Sequence, residues 1–255
     1  MINCERSYGI FQRFDKDRRG SRKTDRRRKR PTDHRSSYYL SPKIIMTPKI
    51  ILDLCGGTGA WSKPYKEAGY DVRLITLPDN DVMTYKPPPG VYGIVAAPPC
   101  TEFSKAKGSL PRNHADAIKV IEACLHIVWQ CRIEGSLKFW ALENPTGQLR
   151  QFLGHPPYYF QPWWFGDFHT KRTDIWGYFE KPRRKFTNEP LLLHRSMISS
   201  SPKRYSDQTA WRAEYDKQWA NPKCPPEYKH LKLDRAAIRA ITPEGFARAF
   251  FRANK

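Results

Sequence analysis

The chain reads as an α/β domain built on an open sheet with parallel strands, and three stretches carry that reading. Residues 49–54, Lys-Ile-Ile-Leu-Asp-Leu, are an apolar run of strand length that leads into the glycine turn Cys55-Gly-Gly-Thr-Gly59 and an amphipathic stretch reaching Gly69. The run at 94–97 ends on Pro98-Pro99, which have no N–H to extend a ladder, and delivers Cys100 just beyond a strand end. The run at 137–142 ends on Glu143-Asn144-Pro145. Ligands of open α/β sheets bind beyond the strand ends, so all three chemistry-bearing turns are expected on one edge, with Cys100 and Glu143 facing one cleft.

The remaining elements follow in order. Residues 72–77 are expected to form the second strand, and Asp79 and Asp81-Val82 come after it. Asn113 caps a helix whose positions Ile118, Ile121, Leu125 and Val128 keep helical spacing, with Cys124 and Cys131 on the same stripe as core residues; Gly135 ends it. Residues 158–177 are dense in aromatics with basic residues between them, a composition that suits either stacking on unpaired bases or an ordinary core. Residues 178–234 are irregular, and a final helix begins at Thr242-Pro243 and docks back on the core.

Composition bounds the partners. The 255 residues carry a formal charge of +20, so a polyanion is expected, because Lys and Arg that neutralise phosphates release condensed counterions. Residues 1–45 hold 14 Lys/Arg and 5 Asp/Glu with few apolar side chains and read as a disordered basic arm. The arm is expected to grip DNA, to act as a nuclear localisation signal, or to lie upstream of a start at Met46. Residues 46–177 are expected to be the core. No apolar run approaches the roughly 18 residues that span a bilayer, and no apolar segment of signal-peptide type opens the chain, so a soluble, cytoplasmic monomer is expected. The six cysteines include no Cys-x-x-Cys pair, so neither metal nor disulfide is expected.

Taken together, the Asp53-to-Ser62 stretch, Pro98-Pro99-Cys100 and Glu143-Asn144-Pro145 resemble the DNA cytosine-5 methyltransferases, and most closely their compact phage-type members. The resemblance covers residues 48–180 well and the last twenty loosely. It implies a Rossmann-like S-adenosylmethionine-dependent methyltransferase fold with a small irregular target-recognition region at 178–234. It implies Cys100 as nucleophile, with Glu143 and Arg172 as its catalytic partners, Arg172 being the middle arginine of a Gln-x-Arg-x-Arg pattern. It implies S-adenosylmethionine held by Asp53, Cys55, Gly56, Gly57, Thr58, Gly59, Trp61, Asp79, Asp81, Val82 and Pro98. Pro99, Ser104, Asn144 and Lys171 are the implied contacts to a double-stranded DNA substrate. The chain departs from the pattern at Asp174, where the last arginine of that pattern belongs, and lacks a direct acid after the second strand. An exocyclic amino-methyltransferase, an RNA cytosine-5 methyltransferase and a catalytically silent DNA-binding relative are the alternatives. A cation such as Lys105 is expected to favour the Cys100 thiolate.

Overall fold

A computed structural model describes residues 48–167, 169–188 and 224–255. The arm at 1–45 and most of the 178–234 segment lie outside these residues. The strands are β1 (Ile50–Leu54), β2 (Asp71–Ile75), β3 (Val91–Ala96), β4 (Phe139–Pro145), β5 (Tyr158–Phe160) and β6 (Thr173–Tyr178). They form one sheet in the order β2-β1-β3-β4-β6-β5. β2, β1, β3 and β4 are parallel, whereas β6 runs antiparallel to both β4 and β5. The order of strands reverses beside β1, whose neighbours are β2 and β3; such a switch point opens a crevice at the C-terminal strand ends, as in Rossmann-like folds. The α/β, Rossmann-like class expected from the sequence is therefore the one adopted.

Successive side chains of a strand point to opposite faces, and β1 divides accordingly. Leu52 and Leu54 join Ile94, Ala96 and Leu142 under α2 (His114–Glu134), whose stripe is Ile121, Cys124, Ile127, Val128 and Cys131. The Asn113 side chain accepts from the Asp116 N–H at 3.1 Å, and Gly135 ends the helix at φ 90°. On the other face, Ile51, Val95, Phe139 and Ala141 pack against Trp61, Tyr65 of α1 (Lys63–Glu67), and Phe246 and Phe250 of the last helix. Phe160 stacks on Phe246 with ring centres 3.7 Å apart. Phe250 is fully buried, so truncating it to alanine is expected to cost about 3–5 kcal/mol.

Three boundaries differ from those read in the sequence. β2 stops at Ile75 rather than at residue 77, because the chain turns out at Thr76, ahead of a proline that could not continue the ladder. β4 runs through Glu143 and Asn144 to Pro145, since β6 pairs with this extension: Glu143 lies opposite Ile175, Asn144 opposite Asp174 and Pro145 opposite Thr173. The chain from 235 onward forms two helices, α4 (Arg235–Ala240) and α5 (Glu244–Ala253), after the short helix α3 (Arg150–Leu153). Thr242 does not cap α5; Pro243 holds the cap position and the Gly245 N–H donates to Asp167 Oδ2 at 3.0 Å. Asn254 then fastens the chain end by donating to the Glu180 carbonyl and accepting from the Glu180 N–H.

Candidate active site

The turn after β1 wraps a buried carboxylate. Asp53 is fully buried, accepts from Ser62 Oγ at 2.5 Å through Oδ2, and leaves Oδ1 without a partner. Burial pushes its pKa up to about 6 against the Ser62 hydrogen bonds. A Cβ at Gly56 would overlap that carboxylate, so only glycine closes over it. Cys55, Gly57 and Gly59 all have positive φ, at 55°, 54° and 69°, and Gly57 faces open space. The non-glycine Cys55 in this region is strain of a kind concentrated at functional turns. Its thiol turns inward to Cys124, whose hydrogen bond holds it below the usual thiol value against burial and the carboxylates of Asp53 and Asp81. Asp81 is thus close to the glycine turn and accepts from the Met83 N–H at 2.9 Å; exposed Asp79 shows no such link. Val82 belongs to the core under α2. Thr58 and Gly59 also line a cleft of about 480 Å³ with Val72, Leu74 and Tyr228, but neither Cys100 nor Glu143 lines it.

The turn after β3 and the end of β4 meet beside it. Pro98 is buried and its carbonyl accepts from Asn144 Nδ2 at 3.2 Å; Pro99 is exposed. The Cys100 carbonyl accepts from the Phe103 and Ser104 N–H groups at 3.0 and 2.8 Å, which coils the chain into a turn with the sulfur partly covered. Ser104 caps the following short turn by accepting from the Ala106 N–H. Burial pushes the Cys100 thiol up, Glu143 adds to that, and Lys171 and Arg239 oppose it. The carboxyl of Glu143 is raised by burial and opposed by Lys171, and its Oε2 is buried without a partner. Glu143 lines a narrow pocket of about 10 Å³ with Trp61, Phe160, Lys171, Thr173, Thr242, Pro243 and Phe246, room for about one water.

The cations that act on the Cys100 thiol differ from the one expected to do so. Lys105 is exposed on the turn after Ser104; Lys171 and Arg239 are the cations that favour the Cys100 thiolate. Along 171–174 the side chains alternate: Lys171 and Thr173 line the Glu143 pocket, while Arg172 is exposed with its guanidinium 4.1 Å above the Tyr159 ring. Asp174 is fully buried, and Arg150 grips it with Nε and Nη2, both at 2.6 Å. Asn144, expected at the substrate, is fully buried; its Nδ2 donates to the Pro98 carbonyl, while its Oδ1 is without a partner. Sequence reasoning gave no role to Arg239, Arg150, Thr146 or His169. His169 is pushed down to about 4 by burial, Lys171 and Arg239, so it is neutral at physiological pH. The segment at 179–186 holds to the core: the Lys185 and Phe186 N–H groups donate to the Trp164 carbonyl, and Arg184 stacks on the Trp164 ring at 3.3 Å. Among the described residues no cluster of three metal-binding side chains occurs, and no helix is long and apolar enough to cross a membrane.

No protein-family model matches the chain, and no curated protein does. Among solved structures it is similar to the 23S rRNA methyltransferase ErmE at 14% identity, with 82% of this chain and 92% of that chain covered and a TM-score of 0.26. It is similar to a mutant DNMT2 of Spodoptera frugiperda at 14% identity, with 81% and 84% covered and a TM-score of 0.34. The delta-N METTL16 MTase domain is a third, at 12% identity, 52% and 74% coverage and a TM-score of 0.24. Likenesses this distant leave the functional reading to the chain's own residues.

Proposed function

We propose that the protein transfers a methyl group from S-adenosylmethionine to C5 of cytosine in DNA, with Cys100 as covalent nucleophile. The observation that carries the reading is the Cys100 and Glu143 pair at the ends of neighbouring parallel strands, where one Glu143 oxygen is buried with no partner. Cytosine C5 is a poor nucleophile, and addition of a thiolate to C6 overcomes this by making C5 electron-rich. Cys100 forms the Sγ–C6 bond, and Glu143, protonated more readily than an ordinary carboxyl, donates to N3 and takes up the charge that develops there. Lys171 and Arg239 favour the thiolate that starts the step. After methylation the C5 proton leaves, the Sγ–C6 bond breaks and the thiolate is restored. The base must leave the duplex stack to reach this crevice, at a cost of a few kcal/mol.

The glycine turn suits the cofactor. S-adenosylmethionine supplies an electrophilic methyl group when bound. Its ammonium matches Asp53 Oδ1, a buried acceptor without a partner, and the backbone at Gly57 is open to close approach. Asp81 is better placed than Asp79 for a polar group of the same ligand, since it lies near Cys55.

The test is to incubate the protein with S-adenosylmethionine and DNA in which the cytosines carry fluorine at C5, which cannot leave as a proton. A denaturation-resistant adduct on the peptide containing Cys100 is expected, and Cys100→Ser abolishes it. An adduct that persists in Cys100→Ser, methyl on the exocyclic nitrogen, or methylation of RNA with DNA untouched overturns the reading.

A further inference from the structure

Position 174 departs from the family pattern, and its surroundings give the departure a purpose. Asp174 is fully buried on β6, directly opposite Asn144 of β4. Its carboxylate accepts from Arg150 Nε and Nη2, both at 2.6 Å, and from Thr146 Oγ1 at 2.7 Å. The Thr146 N–H also donates to the carbonyl of Arg172, just ahead of β6, at 2.9 Å, so residues 146 and 150 are both tied to β6 through Asp174 and residue 146 to its approach as well. Between those ties the segment touches the nucleophile's turn. Gly147 bridges to Ser104, and the Gln148 N–H donates to the Phe103 carbonyl at 2.8 Å. Phe103 and Ser104 are the residues whose N–H groups hold the Cys100 carbonyl. A Cβ at Gly147 would overlap the Phe103 carbonyl, so the two backbones are in direct contact.

We infer that Asp174 is a positioning residue for the nucleophile: it clamps residues 146–150, and through Gly147 and Gln148 that segment fixes the turn carrying Cys100. The inference rests on the assignment of Cys100 above. An ion pair whose carboxylate is fully buried, with its arginine partly exposed, contributes little net stability compared with apolar packing, because the carboxylate is desolvated. Its directional geometry is what it offers, and the bidentate grip of a planar guanidinium fixes both position and orientation. The other side of the turn is already held at Pro98 by Asn144, the residue facing Asp174 across the ladder. Asp174 therefore closes a frame around Cys100. An arginine at this position would face Arg150 with like charge and open the frame.

The experiment compares wild type, Asp174→Asn and Thr146→Val in the full chain. Four quantities are read: thermal midpoint, S-adenosylmethionine affinity, the alkylation rate of Cys100 by iodoacetamide without DNA, and the rate of adduct formation with the 5-fluorocytosine DNA. Loss of the frame uncovers the sulfur, so alkylation is expected to rise about threefold to tenfold in Asp174→Asn. Adduct formation is expected to fall about 100-fold, since displacement of a reacting group by about 1 Å has a cost of that order. Its cofactor affinity should stay within twofold. Thr146→Val is expected to move the same two rates by smaller factors. Adduct formation within threefold of wild type in Asp174→Asn overturns the inference. So does a loss of cofactor affinity or thermal midpoint in step with the adduct rate in both variants. If wild type forms no adduct, the cytosine-5 reading fails, and alkylation alone then decides: faster in both variants with intact melting supports the clamp, and unchanged alkylation overturns it.

Discussion

The glycine turn after β1 and the Pro-Pro-Cys turn after β3 leave adjacent parallel strands of one sheet, yet they differ in how much holds them from outside. The glycine turn is shaped mainly by local residues: Gly59 N–H donates to the Gly56 carbonyl, Ser62 fastens Asp53, and positive φ at three positions shapes the rest, with Cys55 tied also to the remote residues Ile75 and Cys124. The cysteine turn, coiled by the Phe103 and Ser104 N–H groups on the Cys100 carbonyl, is in addition held from outside, by Asn144 at Pro98 and by Gln148 at Phe103. The difference follows from the task. A turn that accepts a ligand on its backbone must keep side chains away, whereas a turn that aims one sulfur needs rigid neighbours on both sides.

Substitutions that strike one turn and spare the other test this contrast. Gly56→Ala places a methyl group in the Asp53 carboxylate and is expected to weaken S-adenosylmethionine binding by about 100-fold, some 2.7 kcal/mol, in calorimetric titration. Cys100 alkylation should change less than twofold. Gly147→Ala is the mirror case: the methyl group meets the Phe103 carbonyl, so the adduct rate should fall by about 30-fold to 100-fold while cofactor affinity holds within twofold. Loss of both properties together in either variant removes the distinction.

Acidity separates the turns further. The free-state pKa of Asp53 is raised to about 6, and an ammonium ligand requires the ionised form, so cofactor affinity should be flat above pH 7 and fall as pH drops through about 6. The slope approaches tenfold per unit, and Asp53→Asn should abolish it. A smaller effect is expected at the other turn. Glu143 raises the Cys100 pKa, so Glu143→Gln should speed alkylation at pH 7.5 by a few-fold even as it removes methyl transfer. The smallest effect belongs to Arg172. Its stacking on Tyr159 is exposed and contributes about 0.5–1 kcal/mol, so Arg172→Ala should lower the adduct rate less than Lys171→Met does in the same assay.

Much of the fold could be read directly from the residues. The apolar runs read at 49–54, 94–97 and 137–142 fall within or across the strands Ile50–Leu54, Val91–Ala96 and Phe139–Pro145, and the glycines of the first turn, with Asn113 and Gly135 at the ends of α2, appear where turn and cap chemistry place them. Those same signals located the three chemistry-bearing turns. The ends of β2 and β4 were misjudged because a strand end depends on its partner: β6 extends β4 across Glu143 and Asn144, and nothing in residues 139–145 announces β6.

Pairings between distant segments were not legible. Asp174 looked like a defect until folding put Arg150 and Thr146 against it. Lys171 and Arg172 are adjacent cations with equal claims on paper, and the backbone leading into β6 turns the first toward the Glu143 pocket and the second toward Tyr159. Arg239 is carried on α4, far along the chain from Cys100, and acts on the thiol only once the chain has folded. Local chemistry thus sets which turns form and which groups they carry. The charge, burial and alignment of those groups depend on residues remote in sequence, since such contacts come into existence only when the sheet closes its register.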